Sequence, residues 1–165
     1  PRSFAQHFSE PVTFLRFNYY PSAERSVAAD EDFASAPHSD YGFMTLLLTG
    51  SPGLQVRTTS GQWVDMPVRP GHLVLNVGDW LNKWSGSKFI ATPHRVVHRA
   101  LDVARHSVAF FFDPHLHTVD EASGTRFEEL ICQRLSTNYI MFRDMLEKQK
   151  RKHGQGEARP PVSKL

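Results

Sequence analysis

The feature that most constrains this chain is a succession of short β-like runs separated by glycine and proline turns. The runs include VTFLRFNYYP (12–21), FMTLLLTG (43–50) and RHSVAFFFDP (105–114), which are rich in aromatic, aliphatic and β-branched residues. A hairpin is predicted over residues 53–67, where Leu54 and Val56 alternate with polar residues before a TTSG turn and Trp63 and Val64 follow it. Many short strands with such turns favour a sandwich or barrel.

Less regular segments complete the predicted order of elements. Strands are expected in RPGHLVLNVGD (69–79) and KFIATPHRVVHRALD (88–102), and one helical turn in WLNKWSG. The small, polar segment SAERSVAADEDFASAP (22–37) predicts a loop. RFEELICQRLSTNYIMFRDMLEKQK (126–150) is the only long helical pattern. The sequence therefore predicts a mainly β domain that ends in a C-terminal α-helix.

The composition is close to that of an average folded globular domain. The chain has 165 residues, 40% of them hydrophobic and 22% charged, and its formal net charge is +2. A nucleic-acid binder would carry a basic stripe on an ordered element, and a membrane span would need a much longer apolar run, so neither partner is expected. Cys132 is the single cysteine, which excludes an intrachain disulfide and fits a reducing compartment.

Metal-binding chemistry is indicated by His38 and Asp40 in the segment APHSDYG. Residues i and i+2 of an extended chain point to one side, and His94 in TPHRVVH is the best third ligand. Two imidazoles and one carboxylate form the facial triad of non-haem Fe(II) oxygenases. Two alternatives stay open. A His-x-Asp pair is more often a turn, and His94 with His98 on a helix would bind zinc, although Arg95 stands where a zinc protease needs glutamate.

An anion site is indicated by Arg105 and Ser107, which share one face of a predicted strand. A guanidinium offers a bidentate fork to a carboxylate, and a hydroxyl adds a third donor. The alternative is an exposed arginine on an edge strand. The apolar run Val108–Phe112 favours a buried strand, and a buried arginine needs an anion. We also expect Phe110–Phe112 to form an apolar wall around the site.

These motifs occur together in an order that resembles a known family. They are His38-Ser-Asp40, GLQV, Trp63, LNVGD, TPHRVVH and Arg105-x-Ser107. The stretch from about Val12 to about Pro114 is similar to the catalytic domain of the Fe(II)/2-oxoglutarate-dependent dioxygenases, in the isopenicillin N synthase-like branch. The resemblance implies a double-stranded β-helix, or jelly roll, with iron at its open end.

The resemblance also implies roles for individual residues. They are the iron ligands His38, Asp40 and His94, the residues Arg105 and Ser107 that hold the distal carboxylate of 2-oxoglutarate, and the further cosubstrate residues Asn18 and Tyr20 in RFNYYP. For the tyrosines, core packing remains an alternative. The implied reaction couples decarboxylation of 2-oxoglutarate and activation of O₂ to hydroxylation, desaturation or cyclisation of a small organic substrate.

Two other functions remain open at this point. One is a non-catalytic, cupin-like binding module, because jelly rolls also serve as lectins and storage proteins. The other is an iron oxidase of the same branch that does not use 2-oxoglutarate, since an Arg-x-Ser pair can hold a different carboxylate.

The expected domain organisation has three parts. Residues 1–11 would be a residual N-terminal segment, residues 12–146 the oxygenase domain with its C-terminal helix, and residues 147–165 a flexible tail. The family's larger members carry a helical N-terminal region that helps to cover the sheet and wall the substrate pocket, so the chain is expected to be incomplete.

The last three residues form a targeting signal in eukaryotes. A C-terminal Ser163-Lys164-Leu165 is the address read by the peroxisomal import receptor. The sequence predicts import into peroxisomes, or glycosomes in a kinetoplastid, and a cytoplasmic protein in any other source.

Overall fold

The computed structural model describes residues 4–22, 33–97, 103–121 and 123–138. Its strands are β1 Val12–Tyr20, β2 Phe33–His38, β3 Met44–Thr49, β4 Leu54–Arg57, β5 Trp63–Asp65, β6 Val74–Val77, β7 His94–Val97 and β8 Arg105–Asp113. Its helices are a 3-10 helix Phe4–Phe8, α1 Asp79–Trp84 and α2 Phe127–Asn138. Among the described residues, no helix combines the length and apolar character that a membrane crossing requires.

The strands form two antiparallel sheets of four strands each. The first sheet has the order β1-β8-β3-β6 and the second has the order β2-β7-β4-β5. In the first sheet no two adjacent strands are consecutive in the sequence, and in the second sheet only β4 and β5 are, so strands distant in the chain lie side by side. This arrangement confirms the predicted mainly β, jelly-roll fold with a helix after the last strand.

The two sheets pack against each other through a small apolar core. Leu47 and Ala109 of the first sheet meet Leu54 and Val96 of the second, and all four are buried. A second cluster joins Phe43 to α1 and α2 through buried Trp80, Leu81 and Phe127. This second cluster closes one end of the sandwich and fixes the loop that precedes β3.

The outer face of the first sheet is apolar and largely exposed. Its exposed side chains are Leu15, Phe17 and Tyr19 of β1, Leu48 of β3 and Leu75 of β6. At one end the face is covered, because Phe8 of the 3-10 helix stacks on Phe112 with ring centroids 4.9 Å apart. The polarity of this sheet is therefore unusual, since apolar side chains point outward over much of its area.

The predicted loop over residues 22–37 is wrong at its C-terminal end. Phe33–His38 forms β2, which pairs antiparallel with β7 from Phe33 opposite Val97 to His38 opposite His94, with two irregularities in register. The small, polar composition of FASAPH gives little strand propensity of its own. Pairing with β7 supplies the backbone hydrogen bonds instead, so tertiary context overrides the local signal.

Two other predicted elements are only partly covered by the described residues. Within the segment predicted as a strand over residues 88–102, His94–Val97 forms β7, residues 88–93 are not in a strand, and residues 98–102 lie outside the described residues. Pro93 cannot donate a ladder hydrogen bond, which fits a strand that begins at the following residue. The helix predicted over 126–150 is described as far as Asn138. Residues 139–150 and the predicted tail, residues 147–165, lie outside the described residues.

Candidate active site

A cavity of about 580 Å³ lies between the two sheets. Its lining includes all seven of the predicted site residues, namely Asn18, Tyr20, His38, Asp40, His94, Arg105 and Ser107. They come from β1, β2, β7, β8 and the loop that follows β2. The volume is in the range of small-molecule sites.

His38, Asp40 and His94 meet at one side of this cavity. His38 ends β2 and His94 begins β7, and the two residues lie opposite each other in the strand register. Their ring centroids are 4.4 Å apart, and His94 Nε2 lies 3.7 Å from Asp40 Oδ1. One ligand atom from each of the three residues lies within 4.8 Å of the others. The group therefore offers two nitrogens and one oxygen to a single point.

Backbone carbonyls fix the tautomer of both histidines. His38 Nδ1 lies 2.7 Å from the carbonyl of Ala36, and His94 Nδ1 lies 3.1 Å from that of Thr92. A carbonyl only accepts, so each Nδ1 carries the proton and each Nε2 keeps its lone pair free. Such hydrogen bonds orient metal-ligating histidines and set which nitrogen binds.

Burial keeps His94 in the form that binds metals. Desolvation lowers the pKa of His94 below its ordinary value of 6.5, whereas the Asp40 carboxylate and the hydrogen bond to the Thr92 carbonyl act in the opposite direction. A neutral imidazole is the ligand form. His94 lies in strand β7, so the alternative of a helical His94–His98 zinc pair is excluded, and His98 itself lies outside the described residues.

Asn76 orients the Asp40 carboxylate. Asn76 Nδ2 of β6 donates to Asp40 Oδ2 at 3.4 Å, which leaves Oδ1 directed toward His94. The Asp40 backbone carbonyl accepts from the backbone N–H of Asp79 at 2.7 Å. Side chain and backbone are thus both held by elements that follow Asp40 by more than 30 residues in the sequence.

The loop between Asp40 and β3 is also anchored from β8. Buried Asp113 accepts a hydrogen bond from the backbone N–H of Phe43 at 2.6 Å. A Cβ on Gly42 would collide with the Asp113 carboxyl, and one on Gly78 would collide with the backbone of Gly42. Both positions therefore require glycine for close approach rather than for an unusual backbone conformation.

Asp113 titrates abnormally as a result. Burial raises the pKa of Asp113 to about 6, with a smaller contribution from the Asp40 charge, while the hydrogen bond from Phe43 acts to lower it. This carboxyl belongs to the scaffold of the loop and does not line the cavity.

Arg105 is buried with one donor unused. Its side chain donates from Nη2 to Thr49 Oγ1 at 3.0 Å and from Nε to the Pro52 carbonyl at 3.2 Å, and its guanidinium lies 5.0 Å from the ring centroid of Tyr20. Burial lowers the pKa of Arg105, and Tyr20 acts in the opposite direction. Buried Nη1 has no hydrogen-bond partner among the described residues. A carboxylate at this point would satisfy that donor and the charge together.

Ser107 and Asn18 extend the polar lining next to Arg105. Asn18 lies opposite Ser107 in the register of β1 and β8, and Asn18 Nδ2 donates to Ser107 Oγ at 3.4 Å. Tyr20 lies opposite Arg105 and lines the cavity, whereas Tyr19 points to the outer face and packs on His106. Of the two tyrosines, only Tyr20 therefore belongs to this lining.

The predicted wall of phenylalanines is wrong for two of its three residues. Phe111 lines the cavity and stacks on Phe14 with ring centroids 4.4 Å apart. Phe110 and Phe112 point to the other face of β8 because side chains alternate along a strand. The unbroken apolar run in this strand therefore places apolar side chains on both faces of the sheet.

Several residues of the site escaped the sequence analysis. They are Asn76, which orients Asp40, Thr49, which holds Arg105, and the packed group of Gly42, Gly78 and Asp113. Asn76 had a usable signal, because an amide interrupts the apolar strand LVLNV. Asp113 had another, as a carboxylate at the end of the apolar run VAFFFD.

The residues present fit a metal and a dicarboxylate. The donor set of two imidazole nitrogens and one carboxylate oxygen suits Fe(II), and both Nε2 atoms carry free lone pairs. The unpartnered Nη1 of Arg105, beside Ser107 in the same cavity, suits the far carboxylate of 2-oxoglutarate.

Known proteins that are similar to this chain include oxidases and dioxygenases. Relatives include a 1-aminocyclopropane-1-carboxylate oxidase homolog 2 from Arabidopsis thaliana, 36% identical over 74% of this chain and 32% of the relative. Another is the 2-oxoglutarate-dependent dioxygenase citB from Monascus ruber, 31% identical over 79% of this chain and 44% of the relative. The crystal structure of full-length Neurospora crassa T7H in complex with alpha-KG superposes with a TM-score of 0.71 at 29% identity, over 77% of this chain and 45% of that chain.

The chain thus spans less than half the length of these relatives. Residues 11–114 match the sequence profile of the 2OG-Fe(II) oxygenase superfamily. That range contains β1 to β8 and all seven predicted site residues. The chain belongs to the 2OG-Fe(II) oxygenase superfamily.

Proposed function

We propose that residues 12–146 form the catalytic domain of an Fe(II)- and 2-oxoglutarate-dependent oxygenase that oxidises a small organic molecule. His38, Asp40 and His94 would be the iron ligands. Arg105 and Ser107 would hold the distal carboxylate of 2-oxoglutarate, with Asn18 and Tyr20 beside them.

One observation carries this proposal. A cluster of metal-binding side chains and a buried arginine with an unused donor line the same cavity. A metal site alone would suit many functions, and a buried arginine alone would suit many anions. A cosubstrate that binds a metal at its keto acid end and an arginine at its other carboxylate needs both.

The residues of this chain would position the reactants and exclude water. When bound, Fe(II) and 2-oxoglutarate supply the oxidising chemistry, in which O₂ is consumed, 2-oxoglutarate becomes succinate and CO₂, and the substrate is oxidised. Backbone carbonyls hold His38 and His94 in the ligating tautomer, and Asn76 holds Asp40. The apolar side chains of Leu47, Leu54 and Val96 keep water from the inner wall of the cavity.

The test is metal binding followed by 2-oxoglutarate binding and consumption. Anaerobic calorimetry should show one Fe(II) per chain, and 2-oxoglutarate should bind only when the metal is present. His94→Ala should weaken metal binding by at least about 100-fold, because removing a ligand costs more than removing its orienting partner. His72→Ala is the matched control, since exposed His72 makes the same Nδ1 contact to a carbonyl two residues earlier.

The outcomes separate the proposal from its alternatives. Unchanged metal stoichiometry and affinity in His94→Ala would refute the ligand assignment. Metal binding without any binding of 2-oxoglutarate would favour an iron oxidase of the branch that lacks this cosubstrate. Binding of both without any consumption of O₂ would favour a non-catalytic binding module.

We also propose peroxisomal or glycosomal import for a eukaryotic source, through the address Ser163-Lys164-Leu165, which lies outside the described residues. A fluorescent protein carrying residues 147–165 should become punctate in eukaryotic cells. A matched fusion without the last three residues should stay diffuse. Identical distributions of the two fusions would refute targeting.

A further inference from the structure

Two arginines line the cavity without a task in the proposed binding of iron and 2-oxoglutarate. They are Arg16 of β1 and Arg134 of α2. We propose that the substrate is a small monocarboxylate with an apolar body, and that Arg16 binds its carboxylate. This inference rests on the proposed function, because it assigns the substrate class of the same site.

Arg16 occupies a different part of the cavity from the 2-oxoglutarate residues. In the register of β1 and β8, Tyr20 lies opposite Arg105 and Arg16 lies opposite Ala109. Four residues of an antiparallel strand extend about 14 Å. A five-carbon diacid spans only about 5 Å from its first to its last carbon. A cosubstrate anchored at Arg105 therefore stops short of the strand position of Arg16.

Arg16 also lies on the edge strand opposite the one that supports Asp40. β1 and β6 are the two edge strands of the first sheet, and Asn76 of β6 carries the hydrogen bond to Asp40. Three strand spacings separate these edges by about 14 Å. A molecule held by its carboxylate at Arg16 would extend its body from the β1 edge toward Asp40, which is the direction that oxidation at the metal requires.

The charges of the cavity leave Arg16 uncompensated. The two positive charges of Fe(II) and the one of Arg105 balance the two of 2-oxoglutarate and the one of Asp40. Arg134 is ion-paired with Asp79 at 3.3 Å. Among the described residues Arg16 makes no ion pair and no side-chain hydrogen bond, and Asp40 is the only acidic residue that lines the cavity. A single negative charge on the substrate would complete the balance.

The surroundings of Arg16 suit an apolar body. Phe14 and Phe111 form a stacked pair on the adjacent rung of the same inner face. The residue opposite Arg16 is Ala109, whose short side chain leaves room above the sheet. Leu47 and Val96 continue the apolar lining toward the centre of the cavity. A guanidinium beside an aromatic pair favours an aryl or alkyl carboxylate over a sugar or a polyanion.

The experiment measures binding without turnover. The whole chain is saturated with Zn(II), a redox-inert substitute for iron, and with 2-oxoglutarate. Ligand-observed NMR then compares four probes, phenylacetate, 3-phenylpropionate, hexanoate and octanoate, with their neutral primary amides. We expect at least one acid to bind about tenfold or more tightly than its amide, while 2-oxoglutarate stays bound.

Substitutions of Arg16 test whether this residue causes the tighter binding of acids than of amides. Arg16→Gln should abolish the difference between the best acid and its amide, and Arg16→Lys should restore part of it because the charge returns without the planar fork. Arg69→Gln, an exposed arginine away from the cavity, should keep the full preference.

The contrary outcomes are distinct. Equal binding of acids and amides, no binding of any acid, or acids that bind only by displacing 2-oxoglutarate would each overturn the inference and leave the proposed function standing. An unchanged preference in Arg16→Gln would overturn the role of Arg16. A wild-type chain that does not bind 2-oxoglutarate with the metal would overturn both.

Discussion

The two faces of the first sheet have opposite characters. The inner face carries polar groups that are buried, including Thr45, Arg105 and Ser107. The outer face carries apolar groups that are exposed, with Phe17 at 76% and Leu48 at 50% exposure. In most sheets with one solvated face, the apolar residues point inward and the polar residues point outward.

This inverted polarity has a different physical cause on each face. The inner face surrounds a cavity, and its polar side chains are fixed by one another, as in the contacts of Arg105 with Thr49 and of Asn18 with Ser107. Among the described residues the outer face has no such polar contacts, and it exposes a contiguous apolar surface. Substitutions on each face can separate these two roles.

The sharpest test uses adjacent leucines on opposite faces of β3. Leu47 is 9% exposed and packs on Leu54, Val96 and Ala109, whereas Leu48 is 50% exposed. Leu47→Ala should lower the free energy of unfolding by about 3 kcal/mol, through lost burial and the cavity that remains. Leu48→Ala should lower it by less than about 1 kcal/mol. Urea unfolding measures both losses. Equal losses would show that Leu48 packs against other side chains in the folded chain and is not exposed to solvent.

The next largest effect is the pH dependence caused by Asp113. Its pKa is raised from 3.8 to about 6, so the folded chain binds this proton more tightly than the unfolded chain. The resulting stabilisation is complete below about pH 3.8 and is lost as the pH rises through about 6.

Asp113→Asn removes this titration while its amide oxygen can still accept from Phe43. Relative to the wild type, the variant should gain about 2 kcal/mol of unfolding free energy between pH 4 and pH 7.5. Urea unfolding of the metal-free chain at both values measures this difference. A difference that does not change with pH would contradict the raised pKa.

Ligand binding should depend on the inner face of β8 and not on its outer face. Arg105→Ala should raise the dissociation constant of 2-oxoglutarate at least about tenfold, which corresponds to about 1.4 kcal/mol, and Arg105→Lys should recover part of the loss. His106→Ala, on the neighbouring outward residue, is the control. Calorimetry with metal-loaded chains measures all three, and an unaltered constant in Arg105→Ala would place the carboxylate elsewhere.

The smallest expected effect concerns the outer face alone. Phe17→Ser should change the free energy of unfolding by less than about 0.5 kcal/mol, since the ring is mostly in solvent already. It should reduce self-association in analytical ultracentrifugation, because it removes the most exposed aromatic ring of that face. A large loss of stability would show that Phe17 packs against something in the folded chain.

The sequence by itself determined the elements with strong local signals. Runs rich in aromatic, aliphatic and β-branched residues predicted β1, β3 and β8, alternation before a turn predicted the β4–β5 hairpin, and the helical spacing predicted α2. The i and i+2 pairs of the candidate site, such as Arg105 with Ser107, could be proposed because a strand places such residues on one face whatever it packs against. The same rule, applied to Phe110–Phe112, should have limited the expected wall to Phe111.

Only the tertiary structure decided the features that depend on distant partners. FASAPH becomes a strand because β7 pairs with it, and Arg16 faces a cavity because β1 pairs with β8. The close packing of Gly42 against Asp113 joins residues about 70 positions apart, and Asn76 reaches Asp40 across 36. No local period encodes such contacts. They arise when crossover connections place remote strands side by side, and the sheet order then fixes which side chains meet.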